Sequence, residues 1–261
     1  MRIAVVGASG RMGCAVVRIA RALSMDVVCA VASTGVGRDI GDLAGVGAIG
    51  VPVVETLQGL EGANADVAID FSAPAATEAL ASLASRCGVS IVSGTTGLTE
   101  EAKTALDRAA ERVPVLWEPN MSIGVHVLAR VVSQAASALA DWDVEIVETH
   151  HHDKVDAPSG TALRLADAVN SGRSRASRLV HGREGKPGRR QSEELGMHAL
   201  RGGDVIGDHV VHLFGGGERL ELTHRATSRE VFAHGALRAA QWLVGRPARR
   251  YSLGDVLDAR T

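Results

Sequence analysis

The chain has 261 residues, 46% apolar and 22% charged, which is ample for one large or two modest globular domains and unlike a disordered sequence. A formal net charge of −2 excludes nucleic-acid binding driven by bulk positive charge, and no apolar run approaches membrane-spanning length. Cys14, Cys29 and Cys87 show no Cys-x-x-Cys spacing, which fits a reducing compartment and no disulfide framework.

The opening "MRIAVVG" runs straight into an apolar strand with no room for a secretory leader, so a cytoplasmic location is expected. The strand leads into Gly7-Ala8-Ser9-Gly10-Arg11-Met12-Gly13 and then a helical stretch. Glycines in this setting let the backbone approach a pyrophosphate, and the helix start faces it with unsatisfied N–H groups. A tight turn without a ligand is the alternative, but the strand-turn-helix context favours nucleotide binding. Further strands are expected in "DVVCAVA", "DVAIDFS", "VSIVSGTTG" and "VPVLWEPN", with helices in "PAATEALASLASRC" and "TEEAKTALDRAAERV". This alternation predicts a parallel sheet covered on both faces. The loops holding Gly94, Thr95 and Thr96, and Glu118, Pro119, Asn120 and Met121, should lie at the sheet's carboxyl edge, where ligands of such sheets bind. Ala32, Ser33 and Thr34 stand where NAD-binding sheets carry a ribose-binding acid. No carboxylate there repels a 2′-phosphate, so NADPH is favoured and NADH is the other option.

After Asn120 the texture changes. "SIGVHVLARVVSQAASALA" predicts a long helix and "WDVEIVETH" an alternating strand. Residues 173–194 are polar and basic and read as a mobile loop. Residues 196–226 read as two or three antiparallel strands, and "REVFAHGALRAAQWLVG" as a closing helix. The expected organisation is a dinucleotide-binding domain over 1–121, an inserted α+β substrate and oligomerisation domain over 122–229, and a returning C-terminal helix over 230–261.

The densest chemistry lies in "ETHHHDKVDAPSGTA", residues 148–162. Successive strand residues point to opposite faces, so three adjacent histidines cannot surround one metal ion. His150 and His152 can share a side, yet no cysteine cluster completes a zinc site, and no metal is expected. A solvated loop is the plain alternative, but it does not explain "DAPSGTA". Ser159 or Thr161 suits an N-cap, and Gly160 leaves backbone amides open to an anion. Lys154 is one of only three lysines, with Lys103 and Lys186, in a chain that otherwise uses arginine. Its ammonium beside a histidine acid suits reduction of a small carboxylate-bearing substrate. His126 and His234 on helical patterns read as structural or surface groups, and His198, His209, His212 and His224 on strand patterns as packing or interface groups. Arg201 fits either the active site or an oligomer contact.

The stretch from Glu145 to His150, followed by Lys154, Asp156 and Pro158-Ser159-Gly160-Thr161-Ala162, resembles the diagnostic motif of bacterial dihydrodipicolinate reductases. The likeness extends to "VGASGRMG", "DFS", "SGTTG", "PNMSIGV", "RGGDVIGDHVV" and "SREVFAHGALRAA", so it spans essentially the whole chain. It implies a Rossmann-type domain with an inserted α+β domain carrying a mixed open sheet. It also implies NAD(P)H-dependent reduction of a cyclic dicarboxylate, 4-hydroxy-tetrahydrodipicolinate, in the diaminopimelate route to lysine. The cofactor would be surrounded by Gly7 to Met12, Gly94 to Thr96 and Glu118 to Met121. His150 would be the proton donor, as imidazolium, with Lys154 a second candidate acid. His151, Lys154, Gly160 and Thr161 would hold the substrate. The resemblance further implies a homotetramer built through the inserted sheet. Two departures stand out: Ala32 and Ser33 replace an acidic-then-basic pair found in some members, and Ala73 stands where some members carry an arginine that can reach the cofactor. Other readings of the same scaffold are an amino-acid or semialdehyde dehydrogenase, or a catalytically silent nucleotide-binding scaffold.

Overall fold

In the computed structural model, which describes residues 1–259, the chain divides into two units, Met1–Ile123 with Arg229–Thr261, and Gly124–Ser228. The first unit begins with β1 (Arg2–Val6), α1 (Arg11–Ala22) and β2 (Asp26–Val31). A short α2 (Ile40–Ala44), β3 (Val53–Val54) and a 3-10 turn at Leu57–Leu60 follow. The unit continues through β4 (Val67–Asp70), α3 (Pro74–Cys87), β5 (Ser90–Ser93), α4 (Glu100–Ala110) and β6 (Val115–Trp117).

The second unit takes most of α5 (Ile123–Ala138), then β7 (Asp143–His150), α6 (Gly160–Arg173), β8 (Arg178–His181), β9 (Glu194–Arg201), β10 (Gly207–Phe214) and β11 (Arg219–Ala226). The chain returns to the first unit with α7 (Glu230–Leu243), β12 (Arg250–Tyr251) and α8 (Leu253–Asp258).

The first sheet has the order β12-β6-β5-β4-β1-β2-β3, and every pairing in it is parallel. Its strands are buried on both sides. On β1, Ile3 and Val5 join a core with α1 and α7, while Ala4 and Val6 join a second core with α3 and α4. That explains the near-continuous apolar runs in the sequence. The order reverses between β1 and β4, so the chain leaves β1 in one direction and returns on its other side at β4. This is the switch point at which open α/β sheets receive ligands.

The second sheet has the order β11-β10-β7-β9-β8. Strand β7 alternates half-buried and buried residues along its whole length, as its sequence predicts. Val144 and Ile146 pack with Leu195, Val211 and Leu213 against Leu128 and Val132 of α5 and Leu165 and Val169 of α6. Two expectations are corrected here. Residues 196–226 are not uniformly antiparallel, because β9 runs parallel to both β7 and β8, while β10 pairs antiparallel with both β7 and β11. Nor is 173–194 simply a loop. Arg173 ends α6, 178–181 form β8, and Arg183 and Arg190 are bonded to Glu145 at 2.9 and 3.1 Å. A basic segment looks solvated when read locally, but a half-buried carboxylate on another strand pairs with it. Gly196 makes room for that carboxylate, since a Cβ there would lie 1.8 Å from Glu145 Oε2. No helix among the described residues is long and apolar enough to cross a membrane.

Candidate active site

Gly7 follows β1 with φ +75°, and a Cβ there would lie 2.4 Å from the Phe71 carbonyl oxygen. Gly13 in α1 would place its Cβ 2.2 Å from the Gly7 oxygen, so the helix can approach the turn only with glycine at that position. Gly10 is the N-cap and contributes no side-chain bond, so the first-turn amides around Arg11 and Met12 are not closed off by a capping side chain. Ala8 is buried, and Ser9 Oγ lies 2.7 Å from Thr34 Oγ1. This cradle fits a dinucleotide phosphate: backbone approach without Cβ atoms and an uncapped helix start with no acid in its first turn.

The other two predicted loops lie at the carboxyl ends of the same sheet. Gly94 lets the Phe71 ring pass, since a Cβ there would meet Cε1 at 2.1 Å. Thr95 is buried, Thr96 is exposed, and Trp117 Nε1 donates to the Thr95 carbonyl at 2.9 Å. After β6, Glu118 accepts from the Leu253 amide at 3.4 Å, Pro119 follows, and Asn120 Oδ1 accepts from the Ser122 amide at 2.9 Å. Met121 is buried, and its carbonyl packs so close to α7 that Gly235 has no room for a Cβ. Asp70 ties these loops together. Fully buried at the end of β4, it accepts hydroxyl bonds from Ser72 (2.5 Å), Thr77 (2.7 Å), Ser93 (2.7 Å) and Thr95 (2.9 Å). The sequence shows "DFS" but not this convergence, because the donors come from the β4–α3 loop, α3, β5 and the loop after β5.

In the second unit β7 carries its buried face from the core into polar chemistry: Val144, Ile146, then Glu148 and His150. His150 Nδ1 lies 2.5 Å from Glu148 Oε2, and His150 is 8% exposed. Glu148, fully buried, is also gripped by Arg201, at 2.8 Å to Oε2 and 2.9 Å to Oε1. The Ser159 amide donates to Glu148 Oε1 at 3.0 Å. Ser159 caps α6 by accepting from the Ala162 amide at 3.2 Å, and its Oγ lies 3.2 Å from His209 Nε2. Gly160 is the first residue of α6 and Thr161 the second, and a Cβ on Gly160 would meet nothing within 4 Å. The proton-donor candidate and the helix start are therefore joined by one carboxylate.

Lys154 Nζ bonds Asp156 Oδ1 at 2.7 Å on the exit from β7. His151 is half-buried, and its amide donates to the Val205 carbonyl at 2.7 Å. His152 is exposed, with Nδ1 2.9 Å from the Gly203 oxygen and Nε2 3.2 Å from Asp153. The turn after β7 is thus stapled to the 202–206 loop. Residues 150, 151, 154, 160 and 161 share the C-terminal end of β7 and the start of α6.

Burial holds His150 below the ordinary histidine range, against the pull of Glu148, and Lys154 and Arg201 add to the depression. The same environment disfavours the charged ring in the ligand-free site. Burial would raise Glu148, but Arg201, His150 and the Ser159 amide hold it below the usual carboxylate value. His209, whose ring meets His150 edge-on at 5.2 Å, is pushed down to about 4, chiefly by burial.

Two of these groups were given no active-site role by the sequence, Glu148 in the network and His209, which read as a packing or interface group, while Arg201 was left open between the active site and an oligomer contact. Glu148 and His150 are two apart on one strand, a spacing that does place them on one face. Arg201 is opposite His150 in the β7–β9 register, which no local pattern reveals.

Comparison with known proteins agrees over the full length. The profile for "Dihydrodipicolinate reductase, N-terminus" matches residues 1–121, and that for "Dihydrodipicolinate reductase, C-terminus" matches residues 124–257. A 4-hydroxy-tetrahydrodipicolinate reductase of Anaeromyxobacter sp. (strain Fw109-5) is 49% identical, covering 100% of this chain and 99% of its own length. That of Acinetobacter baumannii (strain AYE) is 45% identical, covering 98% and 96%. Among solved structures, the dipicolinate-bound dihydrodipicolinate reductase of Paenisporosarcina sp. TG-14 superposes with TM-score 0.76 at 26% identity, covering 97% of each chain. An amine dehydrogenase from Mycobacterium smegmatis, at 15% identity and TM-score 0.64, shares the fold. Matched in both halves and aligned end to end, this chain belongs to the dihydrodipicolinate reductase family.

Proposed function

We propose that this chain is a 4-hydroxy-tetrahydrodipicolinate reductase, serving the diaminopimelate route to lysine. The observation that carries the site assignment is the pairing of His150 with the start of α6 through Glu148. A ring histidine poised to give a proton stands beside backbone amides suited to a carboxylate. Gly160, Thr161, His151 and Lys154 bind the substrate's carboxylates, with Lys154 exchanging its Asp156 partner for substrate. A dianion so bound raises the His150 pKa, so proton uptake follows substrate binding.

The nicotinamide, when bound, supplies hydride to the ring. Gly7, Ala8, Ser9, Gly10, Arg11 and Met12 receive its pyrophosphate, while Gly94 to Thr96 and Glu118 to Met121 border the nicotinamide end. NADPH is the favoured form: Ser33, Thr34 and Arg38 are exposed beyond β2, and no carboxylate there opposes a 2′-phosphate. Assembly as a homotetramer through the open face of the second sheet completes the reading. That face carries half-buried Val147 and Val210 beside His198 and His212.

The decisive assay generates substrate enzymatically from pyruvate and aspartate semialdehyde and follows NADPH and NADH absorbance in parallel. Consumption of NADPH with the higher kcat/KM is expected, and consumption of neither refutes the assignment. Light scattering on the same sample should give four chain masses.

A further inference from the structure

In the reading above Glu148 only links His150 to the α6 start, yet four bonds converge on its carboxylate. Both oxygens are used twice: Oε2 by His150 and Arg201, Oε1 by Arg201 and the Ser159 amide. It is fully buried, and such a carboxylate is retained only when every lone pair is answered. Arg201 is held in turn, because its Nη2 also donates to the Asp156 carbonyl at 2.6 Å, next to the Lys154 partner. Opposite His150 on β10 is Gly207, where a Cβ would come within 3.0 Å of His150 Nε2. The ring is thus fixed by a carboxylate at Nδ1 and given room at Nε2.

We propose that Glu148, clamped by Arg201, is a positioning residue for the reduction: it holds His150 with Nδ1–H donated to the carboxylate, directs Nε2 toward the substrate as the proton-giving atom, and locks that geometry to the α6 start. The inference rests on the proposed reductase reading and deepens it. A neutral carboxamide at 148 cannot accept from Arg201, His150 and Ser159 together in this way, and it cannot stabilise the ring once charged. Four charged or titratable groups surround His150: Glu148 on its own strand, Arg201 on β9, His209 on β10 and Lys154 on the following turn. Of these only Glu148 favours the protonated ring. Arg201 acts in two ways, repelling the imidazolium and sharing Glu148's charge.

The two partners therefore predict opposite shifts. In ligand-free protein, the His150 titration followed by NMR should move down by about one pH unit in Glu148→Gln and up by a similar amount in Arg201→Met. In the same Glu148→Gln protein, kcat should fall about 100-fold and the basic limb of its pH profile should move to lower pH. Cofactor Kd and KM should stay within a few-fold of wild type. Glu148→Asp should recover part of kcat, because the charge returns with shorter reach. If Glu148→Gln does not fold, the Glu148→Gln/Arg201→Met double variant removes both charges, and its NMR spectrum should still show the lost Nδ1–H tautomer preference. Unmoved His150 titrations in both single variants, or a double variant with wild-type tautomer and kcat, overturn the proposal. A wild-type protein that consumes neither cofactor refutes the reductase reading instead, while the ligand-free titration still judges the coupling of Glu148 to His150.

Discussion

At the scale of single residues, the site combines groups whose chemistry is ordinary and whose environments are not. Burial disfavours the charged form of His150, and Lys154 is bonded to Asp156. His150→Gln should therefore lower turnover by about 10²–10⁴-fold while leaving cofactor Kd, read by nucleotide fluorescence, nearly unchanged. Lys154→Ala should raise the substrate KM and lower kcat by about tenfold or more each, because a substrate carboxylate loses its charged partner. Steady-state kinetics in which either variant retains wild-type turnover would remove that residue from the mechanism. The residue types and spacing around His150 and Lys154 were legible because they sit within one short run. Glu148 was visible as a member of that run without its task, which depends on Arg201, a residue 53 positions away.

Among the elements, glycines divide by what surrounds them. Gly13 lies inside α1 with two backbone oxygens where its Cβ would be, and Gly160 opens α6 onto empty space. Gly13→Ala should destabilise by about 1–3 kcal/mol, seen as a lower Tm, and weaken cofactor binding as the α1 start is pushed from the turn. Gly160→Ala should leave Tm unchanged or raise it slightly, because alanine is the better helix former by about 0.5–1 kcal/mol. Its methyl group would nonetheless obstruct a carboxylate approaching the helix start, so the substrate KM should rise. Equal Tm losses in the two variants would contradict this division. The elements themselves were readable where a local period governs them. The alternation on β7 and the apolar runs of β1 and β4 follow from which faces are buried. Strand β12 and α8 were missed because a two-residue strand has no period to detect, although α8 carries a full capping box at Ser252 and Asp255.

For the molecule as a whole, the second unit concentrates acid-sensitive groups. His126 and His209 are both pushed down to about 4, first by burial, and by Arg164 and His150 respectively. The folded state then binds fewer protons than the unfolded chain, so their contribution is complete above about pH 6.5 and is lost as pH falls toward 4. Burial opposes ionisation of Glu145, but Arg183, His198 and Arg190 bring it down to about 2. Its stabilisation, about 3 kcal/mol at neutral pH, is present above about 4.5 and is lost as pH falls from there to 2. Acid titration followed by hydrogen exchange should show β7, β9 and β10 losing protection from pH 6.5 downward. Glu145→Gln should flatten the lower part of that curve, and an unchanged pH dependence in the variant would contradict the assignment. Fold class was legible at this scale, since strand–helix alternation around a glycine turn admits few arrangements. The parallel insertion of β9 between β7 and β8 was not, because strand direction is set by pairing with distant segments.

By itself the sequence determined what local periodicity and local chemistry can encode. That comprised a parallel sheet with a glycine cradle, an alternating strand ending in histidines, and a capped helix start with Lys154 nearby. Tertiary structure decided which separated groups pair: Arg201 on Glu148, His209 on the Ser159 cap, Arg183 and Arg190 on Glu145, and four hydroxyls on Asp70. The physical reason is that burial removes water as the competing partner, so each buried charge must find its counterpart wherever folding brings one. That counterpart is chosen by strand register across the sheet, which no window of neighbouring residues contains.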